Sequence, residues 1–132
     1  MKEENRKIIA KRWVKKSHED ELSAQSILKH RDGTPSVACF LCQQMAEKYL
    51  KALLIFLDLE LVKSHDLIKL GSLLKEKMPE IKEIGNESAK LNRFYIEARY
   101  VGDYPDFNWQ DAEEAFGAAK KIRDFVLKKT GG

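Results

Sequence analysis

A few charged and amide side chains occupy positions where helical periodicity would otherwise place apolar ones, and these are the residues able to do chemistry. At about 100° per residue, Trp13, Ser17, Asp20, Ala24, Ile27 and Leu28 project from one side of the first helical segment. Asp20 is thus a carboxylate in an apolar stripe. Burying it ionised is costly without a partner, so the fold should bring it Lys48, Lys51, His65 or Arg99, unless the helix is rotated enough to leave it at a wet margin. On the second segment Gln44, Glu47, Lys48, Lys51 and Asp58 share one face, while Val37, Cys42, Met45, Tyr49, Leu53 and Phe56 point elsewhere. Such a stripe has two readings. It lines a cleft in which Lys48 and Lys51 meet phosphate as point charges and Gln44 bonds a base or sugar, or it is a solvent edge on which Glu47 and Lys51 form an i,i+4 pair.

Arg99 adjoins a further apolar stripe of Ile84, Ser88, Leu91, Tyr95 and Ala98. Its guanidinium stays charged and needs a carboxylate, a carbonyl or a ligand phosphate; pairing with Asp20 and capping the last carbonyls of its helix are the structural alternatives. His65 either shapes the start of a helix or, beside a polar cleft, titrates near neutrality or binds phosphate. Cys39 and Cys42 have the spacing of half a zinc or redox site, but no second Cys or His pair stands at ligand distance. They fall in an apolar run and are expected as buried free thiols. No metal or cofactor is expected.

The elements that must position these groups are helical. Five segments carry helical periodicity: about Arg6 to His30, Pro35 to Leu57, His65 to Met78, Glu80 to Tyr100, and Trp109 to Lys129. Arg31-Asp32-Gly33-Thr34-Pro35 separates the first two, Ser64 can cap the third with Asp66 near its dipole, Pro79 opens the fourth, and Asn108 can cap the last with Asp111 in its first turn. Short connections favour antiparallel neighbours, so an all-α, up-and-down bundle of about five helices is the simplest fold. The chain reads as one domain of 132 residues, with a core at 13–127, a basic arm at 1–12 and a frayed end at 130–132. With 24 Lys and Arg against 21 Asp and Glu, a net charge of +3 gives no case for a protein that wraps a polyanion. No stretch has the roughly 20 apolar residues of a membrane span, and the charged opening lacks the apolar core of a signal peptide, so a cytoplasmic location is expected.

Taken together, Asp20, the run Gln43-Gln44-Met45-Ala46-Glu47-Lys48-Tyr49-Leu50-Lys51-Ala52-Leu53-Leu54, Ser64-His65-Asp66-Leu67 and Ala98-Arg99-Tyr100 resemble, in order and spacing, the pattern of the HEPN family. The likeness covers about residues 13–127, and the Gln-to-Leu run is its most specific part. What the resemblance implies is a bundle of about five helices and frequent homodimerisation. It also implies association with nucleotides, with RNA or with minimal nucleotidyltransferase partners, often in toxin–antitoxin or defence modules.

One departure matters. Ribonuclease members carry a polar residue after this Arg and a His a few positions later, whereas here Arg99 is followed by Tyr100, Val101, Gly102, Asp103 and Tyr104, and no His follows His65. Forming a cyclic phosphate needs a group that exchanges a proton near neutrality and a cation for the phosphorane; Arg99 supplies the cation, but Tyr104 is a poor base at its ordinary pKa. The leading expectation is therefore a non-catalytic domain that binds a nucleotide or RNA end through Arg99, Lys48, Lys51 and His65, supported by Asp20, Gln44, Glu47 and Tyr104. The alternatives are a partner subunit of a minimal nucleotidyltransferase, with Leu22, Phe94, Tyr104, Phe107 and Trp109 as interface residues, and a metal-independent RNase with a degenerate motif.

Overall fold

A helix that is apolar nearly all round can satisfy itself only at the centre of a bundle, and the second helix takes that place. The computed structural model describes residues 2–95 and 106–132. Within them lie α1 (Glu3–His30), α2 (Pro35–Phe56), α3 (Leu67–Leu74), a 3-10 segment (Pro79–Ile84), α4 (Gly85–Asn92) and α5 (Trp109–Thr130), with no strand among the described residues. The all-helical bundle is as expected. No helix of the described residues is long and apolar enough to cross a membrane.

The α1–α2 hairpin turns through Arg31 in the left-handed region, φ 58°, and Gly33 at φ 86°; Thr34 then accepts the Val37 N–H as N-cap, with Pro35 opening α2. The two helices run antiparallel, as the pairs Asp20 with Lys48 and Trp13 with Lys51 show. Ala10, Ser17 and Ala24, seven residues apart, are buried on the inner face of α1, where small side chains allow close approach. Across from them Cys42, Met45, Tyr49, Leu50 and Leu53 fill the centre. Cys39 and Cys42 are free and buried, and desolvation raises the Cys39 thiol to about 11 and that of Cys42 further still. Neither is a thiolate at neutral pH.

Several boundaries differ from the sequence reading. The basic residues at the start are not a separate arm, because α1 already begins at Glu3. The tail is not frayed but closed by Gly131 at φ 79°, with the Gly132 N–H on the Leu127 carbonyl. Ser64 does not cap α3; Asp66 does, accepting from the Ile68 and Lys69 N–H groups, while Ser64 Oγ accepts the Asp66 N–H. α3 stops at Leu74 rather than Met78, and Met78, preceding Pro79, is out of the helical region at φ −143° and ψ 79°. Past Pro79 the expected single helix divides. Ile81 and Ile84 bury, and at a spacing of three they eclipse on a 3-10 segment, with Met78 buried just ahead of it. From Gly85 the α period takes over and buries Ser88 and Leu91, and α4 ends at Asn92. Phe94 is a core residue, 2% exposed, stacked edge-on against Phe107, and so is not available to an interface.

Asn92 ties the end of α4 to the start of α3, accepting the Leu67 N–H on Oδ1 and donating to Asp66 Oδ1. The Asn92 hydrogen bond, outweighing desolvation and joined by the backbone donors of Lys69 and Ile68, lowers the Asp66 pKa below its ordinary 3.8. A lowered folded-state value means that the stabilisation is present above the unfolded pKa and is lost as pH falls through the folded one. Asp66→Ala is expected to cost about 1 kcal/mol in urea unfolding at pH 7. The gap from wild type should narrow below about pH 4.

Candidate functional site

The polar stripe of α2 faces inward. Glu47 is 4% and Lys51 6% exposed, which rules out the solvent-edge reading of their i,i+4 pair although the pair itself is formed, Lys51 Nζ to Glu47 Oε2 at 2.8 Å. A buried carboxylate with one cation still has an oxygen to satisfy. Here the other oxygen, Oε1, receives His65 Nδ1 at 2.9 Å and Gln44 Nε2 at 3.4 Å. Because an ionised carboxylate only accepts, Nδ1 carries the proton, and Nε2 is left as the ring nitrogen available to a ligand.

The loop that carries His65 is held from beneath as well. Gln43, fully buried on α2, donates to the His65 carbonyl at 2.9 Å and accepts from Gln44 Nε2 at 2.7 Å. The imidazole lies flat on Tyr95, centroids 4.3 Å apart and planes 12° apart, and Tyr95 in turn leans on Phe40. Lys51 is covered on its outer side by the Trp13 ring, 5.8 Å from its centroid. His65, half exposed, opens with Lys63, Ser64, Asp66, Asn92 and Tyr95 onto a shallow cavity of about 450 Å³.

Of the residues expected to form the site, the structure gathers Gln44, Glu47, Lys51 and His65 into one hydrogen-bonded cluster. Asp20 takes Lys48 as its partner at 2.5 Å, in a separate pair on the α1–α2 seam, and not Lys51 or His65. Asp58 leaves the stripe altogether: it lies past the end of α2 at φ 59° and pairs with Arg6 at 3.8 Å. Arg99 and Tyr104 lie outside the described residues. Leu22 is 51% exposed, as placed.

Two residues were missed. Gln43 sits beside Gln44 but points to the other side of the stripe, and its signal was an amide in an otherwise apolar run. Glu21 joins three helices: it receives Arg123 Nη1 from α5 at 2.7 Å and the Tyr49 hydroxyl from α2 at 3.5 Å. Burial, with Glu21 adding to it, pushes the Tyr49 phenol up to about 12, so it remains a donor throughout the neutral range. The spacing Ser17, Glu21, Ala24, Leu28 does place Glu21 on the buried side of α1.

The cluster makes a definite demand on stability. Glu47→Ala strands the Lys51 ammonium in a buried site and should destabilise the fold by about 3 kcal/mol. The double change Glu47→Leu with Lys51→Met removes both charges and should recover most of that loss. Urea unfolding of the three proteins checks both expectations, and equal losses in single and double variants would count against a charge effect.

With this geometry in hand, comparison with known proteins is informative. A model of the HEPN domain matches residues 10–129. No curated protein gives a match. Among solved structures, TT1696 from Thermus thermophilus superposes with a TM-score of 0.79 at 28% identity, covering 91% of this chain and 97% of that one. ST0689, described as an archaeal HEPN homologue, gives a TM-score of 0.72 at 27% identity over 92% of this chain and 97% of its own. Taken with the matched residues, which span nearly the whole sequence, these likenesses mean that the chain belongs to the HEPN domain family.

Proposed function

We propose that this HEPN domain binds a nucleotide or an RNA end without cleaving it, holding the phosphate at His65 and Arg99. The observation that carries the reading is the buried Glu47 carboxylate on His65 Nδ1, which fixes the tautomer and presents Nε2 at the rim of an open cavity. Lys51 supports the site indirectly by neutralising Glu47, Gln44 completes the carboxylate's hydrogen bonds, and Lys48 with Asp20 supplies a charged edge on the neighbouring seam. Tyr104 follows Arg99 in the same stretch of sequence and belongs with it in the proposal. The absence of a histidine after Arg99 supports binding over catalysis.

Titration of the purified protein with nucleoside triphosphates tests this. Arg99→Ala and His65→Ala should each weaken binding about tenfold, the loss of one charge-assisted hydrogen bond. Failure of wild type to bind at millimolar ligand overturns the proposal.

A second reading rests on a different observation. Ile8 and Leu22, 52% and 51% exposed, lie two heptads apart on the outer side of α1. They suit an α1-mediated interface with a second copy of this chain or with a minimal nucleotidyltransferase encoded beside it in a toxin–antitoxin or defence module. Ile8→Asp with Leu22→Asp should then lower the mass measured by sedimentation, or abolish complex formation with the co-expressed neighbour. An unchanged monomer and no complex with the neighbour would eliminate this reading.

A further inference from the structure

The phosphate-binding reading leaves one feature of the cavity without a purpose, namely the exposed face of the His65 ring. An imidazole needed only as a hydrogen-bonding or charged group is served by its nitrogens, and its flat face is incidental. Here the ring is built into a stack. Tyr95 lies parallel to one side of it at 4.3 Å, with Phe40 against Tyr95. The ring cannot swing, because Glu47 holds Nδ1 and Gln43 holds the backbone carbonyl, both from buried positions on α2. With 48% of the side chain exposed while Tyr95 covers one face and Glu47 the Nδ1 edge, what is left to solvent is the Nε2 edge together with the face turned away from Tyr95.

We infer that this outer face of His65 is a stacking platform for an unpaired nucleobase, which deepens the nucleotide-binding reading and rests on it. Three further features fit. The cavity of about 450 Å³ accommodates a single nucleotide and is open to one side, as a ligand with a chain continuing from it requires. Its rim is polar in a manner suited to sugar and phosphate: the Lys63 ammonium is exposed, the Ser64 hydroxyl accepts from the Asp66 N–H and keeps its own proton to donate, and among the described residues Asp66 engages only Oδ1 in its hydrogen bonds, leaving Oδ2 for a ribose hydroxyl. A rigid ring costs little further ordering when a base settles on it, so the affinity of the stack is not spent on immobilising the platform. Stacking uses the face that every base has, so recognition tolerates changes of base and discriminates nucleotides from simple phosphates.

The test compares adenosine monophosphate, cytidine monophosphate and ribose 5-phosphate, which has the same sugar and phosphate but no base, by calorimetric titration of the full chain. Adenosine monophosphate should bind roughly 5- to 150-fold more tightly than ribose 5-phosphate, with cytidine monophosphate close to the purine. His65→Phe keeps a flat ring against Tyr95 but loses the tie to Glu47 and should keep part of that ratio, whereas His65→Ala should bring it near one. Should His65→Ala fail to fold, His65→Asn, which keeps an N–H donor for Glu47 but has no aromatic ring, takes its place and should likewise bring the ratio near one. Equal binding of the nucleotide and ribose 5-phosphate overturns the platform and leaves the phosphate site standing. A ratio that persists in folded His65→Ala places the base elsewhere and likewise overturns it. Binding of none of the three overturns the platform, and if nucleoside triphosphates fail to bind as well the nucleotide reading falls with it.

Discussion

A carboxylate on the inward face of a central helix sets terms that the surrounding elements have to meet. Glu47 sits where α2 is packed on nearly every side, and an ionised group there is tolerable only if each oxygen finds donors. Lys51, one turn along, meets one oxygen. The other is met from outside the helix, which requires the linker between α2 and α3 to fold back and lay His65 over the stripe. The backbone follows the same demand: Gln43 takes the His65 carbonyl, Asp66 begins α3 directly after it, and Asn92 fastens that start to the end of α4. The cleft and the packing of the small helices are in this sense one arrangement.

The bundle's mass comes from elsewhere. Leu50, Leu53, Leu54, Leu70, Leu74 and Ile122 are fully buried, and each such side chain contributes about 1.5–3 kcal/mol by leaving water. Exposed pairs such as Lys7 with Glu3 contribute far less. The polar cluster therefore does not hold the bundle together so much as select one arrangement of loop and helices among several that would bury similar area. The Glu21, Arg123 and Tyr49 group does comparable work on the opposite seam, tying α5 to the α1–α2 hairpin.

Much of this was legible in the residues. Periodicity defines the long helices to within a few positions, and Pro35, Asn108 and Gly33 mark their ends for reasons of backbone geometry. The need of Asp20 for a cation was readable too, but not which one, because a helical wheel gives direction and no neighbour. For the same reason the solvent-edge reading of Glu47 and Lys51 stood open: Trp13 of α1 lies over Lys51 and a patternless linker lays His65 over Glu47, and both neighbours depend on the finished fold. The 3-10 segment escaped because Ile81 and Ile84, three apart, also fit on an α-helix, and the spacing alone does not separate the two. The HEPN likeness in the Gln-to-Leu run carried the family, since neither periodicity nor composition distinguishes this bundle from others.

The double fastening of the His65 loop has a consequence for how such a domain can diversify. Gln43 grips it on one side and Asn92 with Asp66 on the other, so the scaffold is specified by residues that face inward or cap helices. Lys63 and Ser64, between the free part of the linker and those anchors, take no share in the clamps beyond the single Ser64 bond to Asp66. A lineage could exchange these two side chains, altering the charge and shape presented at the cavity mouth, while the imidazole stays in register. The architecture thus separates the part of the surface that can drift from the part that cannot, within four consecutive residues, 63–66.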